Sequence, residues 1–184
     1  DNPTAVGRMD FNATNFHAFL RSANDAFLID PAGDHYLSFY KKNKYAPKNA
    51  RPECGFEHAG NDHILQATTR TTFSVGEELR IYRIAVSTTG EYAAYHGGTV
   101  ASVIDAIVTT INRINTVYEI DLAVRLVLIA DNDQLVFLDA DDDPFDNNSS
   151  GGMLNQNPTT INTIIGADNY DIGHVFATGG AGLA

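Results

Sequence analysis

Few residues in this chain have both the type and the setting for chemistry. Cys54 is the first of them. It stands in Arg51-Pro52-Glu53-Cys54-Gly55-Phe56, and it is the only cysteine, so an intramolecular disulfide framework is excluded. A lone free cysteine is usually a small core residue. Proline, glycine and charged neighbours make that role unnatural here. An extended thiol beside a glycine can instead approach a metal closely, and a zinc-bound thiol is deprotonated outright.

The histidines are His17, His35, His58, His63, His96 and His174. None forms a His-Glu-x-x-His helix, and none pairs with the cysteine at zinc-finger spacing. His58 and His63 lie five apart in a loop, a spacing better ascribed to chance than to a metal site. His174 falls on an expected core strand, where a hydrogen-bonded structural histidine is the default. No Gly-x-Ser-x-Gly elbow and no phosphate-binding glycine loop is present. Asp131, Asp133, Asp139, Asp141, Asp142, Asp143 and Asp146 make an acidic loop that could offer oxygens to calcium, but without the EF-hand order of ligands. A solvated loop is the preferred reading.

The elements that would position these residues follow from periodicity. Leu79, Ile81, Ile84 and Val86 lie in a β-rich run that reads as a strand. A turn-rich stretch is expected over 87–98. From Val100 the period changes: Val103, Ile104, Ile107, Val108, Ile111, Ile114 and Tyr118 recur at three and four, which predicts a long helix capped by Thr99. A second strand follows over 122–130, and Leu135 to Leu138 reads as its extension. Strand, helix, strand is a βαβ unit with parallel strands. A short helix is expected over 159–165 with Pro158 in its first turn, ended by Gly166, and a third core strand over 172–177.

Upstream, residues 1–50 have hairpin texture, with alternation at Phe16, Ala18 and Leu20 and a turn over 30–34. Residues 46–77 read as a linker, with a boundary near Thr72. The expected fold is α/β: a mixed, mostly parallel sheet with a long crossover helix, preceded by a small β-rich piece. A formal charge of −11 argues against nucleic acid as a partner, because nothing would release phosphate counterions. Lys41, Lys42, Lys44 and Lys48 read as an exposed basic turn. No window reaches the ~18–20 apolar residues that span a bilayer, so no membrane partner is expected. The chain starts without Met and stops after an apolar restart, which suggests a piece of a longer protein. Asn12 and Asn148 fit the glycosylation pattern, which is too common to place the protein.

Taken in order, these residues resemble a known family. Pro52-Glu53-Cys54-Gly55 resembles the cysteine switch of metzincin propeptides. The run 79–86 resembles the first strand of a reprolysin (adamalysin-like) catalytic domain. Ile107-Val108, Asn112, Asn115, Tyr118 and then 121–129 resemble its first long helix and second strand. Tyr170-Asp171-Ile172-Gly173-His174-Val175-Phe176 with Gly182-Leu183-Ala184 resembles its third strand and the start of the edge strand over the substrate cleft. Asn15-Phe16-His17-Ala18 and Phe27-Leu28-Ile29-Asp30-Pro31 resemble the propeptide end of bacterial secreted members.

The resemblance implies a zincin-like fold, with residues 1–72 as propeptide tail and linker and 73–184 as the N-terminal part of the catalytic domain. It implies a secreted zinc endopeptidase zymogen, whose partners are a protein or peptide substrate and its own propeptide. Cys54 would ligate zinc in the latent form, and Gly182, Leu183 and Ala184 would pair with an extended substrate. Asp171 falls where reprolysins place a calcium-ligating aspartate. The family's His-Glu-x-x-His-x-x-Gly-x-x-His helix and Met-turn are absent from this sequence, so no catalytic residue carries over and the chain alone should be silent. The rival expectation is a non-catalytic secreted adhesion or scaffold module ordered by calcium on its acidic loop. A nucleotide-binding α/β domain ranks lower, for want of a glycine fingerprint after the first strand.

Overall fold

In the computed structural model, which describes residues 5–12, 15–22, 25–43 and 78–179, the N-terminal alternation becomes an antiparallel meander. Its strands are β1 (Val6–Phe11), β2 (Phe16–Arg21), β3 (Ala26–Ala32) and β4 (His35–Tyr40), neighbours in space in chain order. Gly33, at φ 68°, supplies the positive φ of the tight β3–β4 turn. Pairings such as Phe11↔Phe16, Leu28↔Phe39 and Phe27↔Tyr40 assign side chains to two faces. One face buries Phe19, Ala26 and Leu28, with Phe39 and Val117 packed against them. The other carries an aromatic series, Phe11 on Phe16 and Phe16 on Tyr36, with ring centroids 4.7 and 6.2 Å apart.

The downstream elements are β5 (Arg80–Thr88), α1 (Gly90–Tyr95), α2 (Val100–Asp121), β6 (Val124–Leu128), α3 (Ser150–Ile164) and β7 (Ile172–Phe176). They give the chain its mixed α/β character. The second sheet has the order β6-β5-β7, with β5 and β7 parallel in the register Ile84↔Ile172 to Thr88↔Phe176. β5 is its central strand, and residues 84–88 are buried without a break, the mark of a strand covered on both faces. Ala85 packs with Leu135 and Ile161 in one apolar cluster.

Contacts divide the described residues into two compact units. One is the four-stranded sheet with residues 78–80 and 108–125; the other is 81–107 with 126–179.

Several elements depart from the sequence expectation, each for a physical reason. β5 runs on to Thr88, and the supposed turn then holds α1, whose Thr89 Oγ1 accepts from Tyr92 N at 3.2 Å. The capping expectation for α2 holds: Thr99 Oγ1 accepts from Ser102 N at 3.2 Å. Leu135 to Leu138 does not lengthen β6. A 3-10 turn, Asn132–Leu135, drops Leu135 into the core, and only Val136 makes a parallel bridge, to Thr88. α3 starts earlier than 159, at Ser150, with Pro158 inside it. Met153, Asn157 and Ile161 bury a stripe at spacing four, and Ser149 Oγ caps Gly152 N at 3.1 Å, which together outweigh the proline. Gly166, at φ 87°, ends it as expected. β7 is not a core strand. Ile172, Gly173 and His174 are exposed, because among the described residues β7 has a strand neighbour, β5, on one side only.

Candidate functional site

β7 and the face of α3 turned toward it enclose a concave feature of the second unit. Positions 150, 153, 154, 157 and 158 recur at helical spacing and line a groove of about 350 Å³ against residues 173–177. Gly173 permits the approach: a Cβ there would lie 2.9 Å from Ile161 Cδ1 and 3.4 Å from the Tyr170 ring. His174 and Phe176 face this groove, with ring centroids 5.2 Å apart. Asn157, 6% exposed, lines it with a buried Oδ1 that no donor among the described residues meets.

Two polar anchors hold β7 at its ends. Before the strand, Asp171 takes a two-pronged hold on Arg83. Oδ1 accepts from Nη2 at 2.8 Å, and Oδ2 accepts from the Arg83 backbone N at 2.7 Å and from Nε at 3.2 Å. The Arg83 guanidinium, and then its backbone N–H, hold the Asp171 carboxyl below the usual carboxylate range. After the strand, Asn147 Oδ1 accepts from Thr178 N at 3.0 Å, Gly179 N at 3.3 Å and Thr89 Oγ1 at 3.1 Å. One side chain thus ties the chain leaving β7 to the entry of α1.

A third anchor is Asn132, 1% exposed. Its Oδ1 accepts from Val86 N at 2.7 Å and its Nδ2 donates to Val86 O at 3.0 Å. The amide continues the backbone ladder on β5 just past the point where Ile129 N donates to Ile84 O at 3.1 Å.

Of the residues singled out by sequence, Cys54, Gly182, Leu183 and Ala184 lie outside the described residues. His58 and His63 do as well. Asp171 is placed against Arg83, on the opposite end of β7 from the Asn147 anchor. In the acidic loop, Asp143 Oδ2 accepts from Gly90 N at 2.7 Å and its Oδ1 from Phe145 N at 2.7 Å. Asp139 Oδ1 and Asp146 Oδ1 accept from Asp141 N and Asn148 N at 3.0 and 3.1 Å. These carboxylates organise their own loop, and Asp143 also ties it to the first residue of α1. Among the described residues no group of three or more His, Cys, Asp or Glu could hold a metal ion. No helix among them is long and apolar enough to cross a membrane. Asn132 and Asn147 were not foreseen, since nothing in their local sequence separates them from any loop asparagine.

Residues 78–182, more than half of the chain, match the family model Reprolysin_4, described as metallo-peptidase family M12B, reprolysin-like. Comparison with curated proteins and with solved structures gives no match. A metallopeptidase family implies zinc in general and protein or peptide substrates; the described residues do not themselves form a zinc site. By the extent of the match, the chain belongs to the reprolysin-like M12B family of metallopeptidases.

Proposed function

We propose that this chain is the front of a secreted zinc-dependent endopeptidase zymogen. Residues 1–72 are the propeptide tail and linker, and 73–184 are the N-terminal part of the catalytic domain. The observation that carries this reading is the family match over 78–182, which takes in β5, α2, β6, α3 and β7. Cys54 is the zinc ligand of the latent form. Gly182, Leu183 and Ala184 begin the strand that an extended peptide substrate pairs with. The Asn147 anchor supports this last assignment, because it fixes the backbone at 178 and 179, a few residues upstream of them.

Asp171 is the candidate calcium ligand of this reading. A calcium ion there would share the carboxylate with Arg83, which donates to both of its oxygens. The same carboxylate anchors the start of β7 on β5.

The test is latency in the complete zymogen. Cys54→Ala is expected to give peptidase activity before the propeptide is removed, while the wild type stays silent until cleavage. Equal latency in both would sink the role of Cys54. The 184-residue chain alone is expected to cleave no peptide, with or without added zinc. Its coding sequence downstream of Ala184 should reach a His-Glu-x-x-His helix within several dozen codons.

A further inference from the structure

The chain leaves β7 through a joint built on one side-chain amide. Asn147 Oδ1 accepts from the backbone N–H of Thr178 at 3.0 Å and of Gly179 at 3.3 Å. Along an extended strand successive N–H groups point to opposite sides, so two that converge on one oxygen mark a bend. Asn147 therefore sets the direction in which the chain departs from the sheet. Gly179 is the residue type this bend requires. A Cβ there would lie 2.5 Å from Asn147 O, 2.8 Å from Asn148 Oδ1 and 2.9 Å from Asn147 Nδ2. Thr178 Oγ1 completes the joint, 3.2 Å from Asn147 Nδ2.

The amide is itself held from two sides. Thr89 Oγ1 donates to Asn147 Oδ1 at 3.1 Å, while the Thr89 backbone N donates to Phe176 O at 3.0 Å. Thr89 is fully buried and also caps α1. One residue thus grips both the end of β7 and the amide that turns the chain beyond it. On the other side, Ser149 N donates to Asp146 O at 2.9 Å and Asn148 N to Asp146 Oδ1 at 3.1 Å. Ser149 in turn caps α3. The exit of β7 is fixed to the starts of two helices.

We propose that Asn147, together with Gly179, is a positioning residue for substrate. It sets where residues 182–184 lie, and so how tightly an extended peptide binds. This rests on reading Gly182, Leu183 and Ala184 as the start of the pairing strand. Three residues span at most about 10 Å, so a swing of about 10° at Gly179 would move Gly182 by about 2 Å. Strand pairing has no such tolerance, because N–H···O contacts weaken beyond a window of about 2.7–3.2 Å. The swing would break the ladder along a long peptide and leave the scissile bond of a short one untouched. Preference for extended over short substrates is then carried by an asparagine that touches neither.

The test uses the activated full-length enzyme with a quenched-fluorescent peptide of about ten residues, and the same peptide cut back to about four around its scissile bond. Asn147→Ala should raise KM for the long peptide about tenfold, keep its kcat within about twofold, and leave both constants for the short peptide unchanged. Gly179→Ala should give the same pattern. The double variant should lose no more than about the larger single loss, since both open one joint. Asn147→Asp keeps the oxygen that takes both N–H groups and should stay within about threefold of the wild type. Asn155→Ala, on the exposed side of α3, should change neither constant.

A merely structural role would depress both peptides alike. Equal losses on the two peptides, or an unchanged KM in Asn147→Ala, would overturn the proposal. Backbone N-methylation of the long peptide, away from its scissile bond, tests the rim reading by itself on the wild-type enzyme. A KM blind to that methylation would mean that no strand pairs with the peptide, and reading and proposal would fall together. A KM raised by methylation beside a silent Asn147→Ala would keep the rim and remove Asn147 from its control.

Discussion

Replacing Asn132 with alanine removes a side chain that acts as a piece of β-strand. The amide occupies both hydrogen-bonding groups of Val86, a fully buried residue at the centre of β5, through contacts of 2.7 and 3.0 Å. Alanine would leave a buried N–H and a buried C=O without partners. Each such group costs ~1–3 kcal/mol, so the sum is ~2–6 kcal/mol before relaxation. Water entering the vacated space would recover part of it, and a loss of ~3 kcal/mol is expected. At a urea m-value of ~2 kcal/mol/M, the unfolding midpoint of the 81–107 and 126–179 unit would fall by ~1.5 M. Because a chain of two compact units need not unfold in one step, the decisive readout is local: hydrogen exchange at the Val86 amide, slow in the wild type and fast in the variant. Asn132→Asp separates the two bonds. A carboxylate still accepts from Val86 N, but it sets a second oxygen against Val86 O. The aspartate variant should be no more stable than alanine near neutral pH and should recover on acidification, when the protonated carboxyl regains a donor. A loss below ~0.5 kcal/mol on alanine substitution, with Val86 exchange unchanged, would refute the claim that this amide completes the sheet.

Other perturbations discriminate as sharply. Asn147→Ala should speed hydrogen exchange at the Thr178 and Gly179 amides at least about tenfold while leaving β5 protected, since its Oδ1 accepts from both; unchanged exchange would show that the segment is held otherwise. Gly90→Ala should cost ~2–3 kcal/mol despite a better helix propensity, because the new Cβ would lie 2.2 Å from Ala140 N and 2.4 Å from Asp139 C, both backbone. Gly151→Ala, with nothing within 4 Å, should stabilise α3 by ~0.5 kcal/mol, and thermal melts that reverse this order would contradict the packing. Arg125, and after it Arg8, hold the Glu119 carboxyl below its usual range. A depressed folded-state pKa contributes stability above the ordinary carboxylate value, lost as pH falls through it toward the folded one. Glu119→Gln should therefore flatten the acid limb of the stability profile, and a profile identical to wild type would remove Glu119 from the clamp.

What was legible in the sequence was written in apolar period. β5, α2 and β6 repeat their hydrophobic residues at the spacing of their structures, and Thr99 before Val100 marks a helix start without ambiguity. α1 left no such trace, because Gly90, Ala93 and Ala94 are too small to draw a stripe. α3 was half-hidden behind Gly151, Gly152 and Pro158, three poor helix formers whose cost is met by burying Met153 and Ile161. The candidate site was less legible. Asp171 could be picked out, but not its partner Arg83, which lies 88 residues away in sequence.

This division has a physical cause. Apolar side chains act through area, which is additive and shows as a pattern. The joints between elements here are made by amides and charges, which act through one geometry each and leave no periodic mark. Asn132 replaces a strand, Asn147 fixes the exit of β7, Arg83 with Asp171 fixes its entry, and Arg and Asp pairs seat the first sheet on α2. Apolar substitutions should therefore move the stability of whole elements, whereas polar ones should loosen one joint at a time.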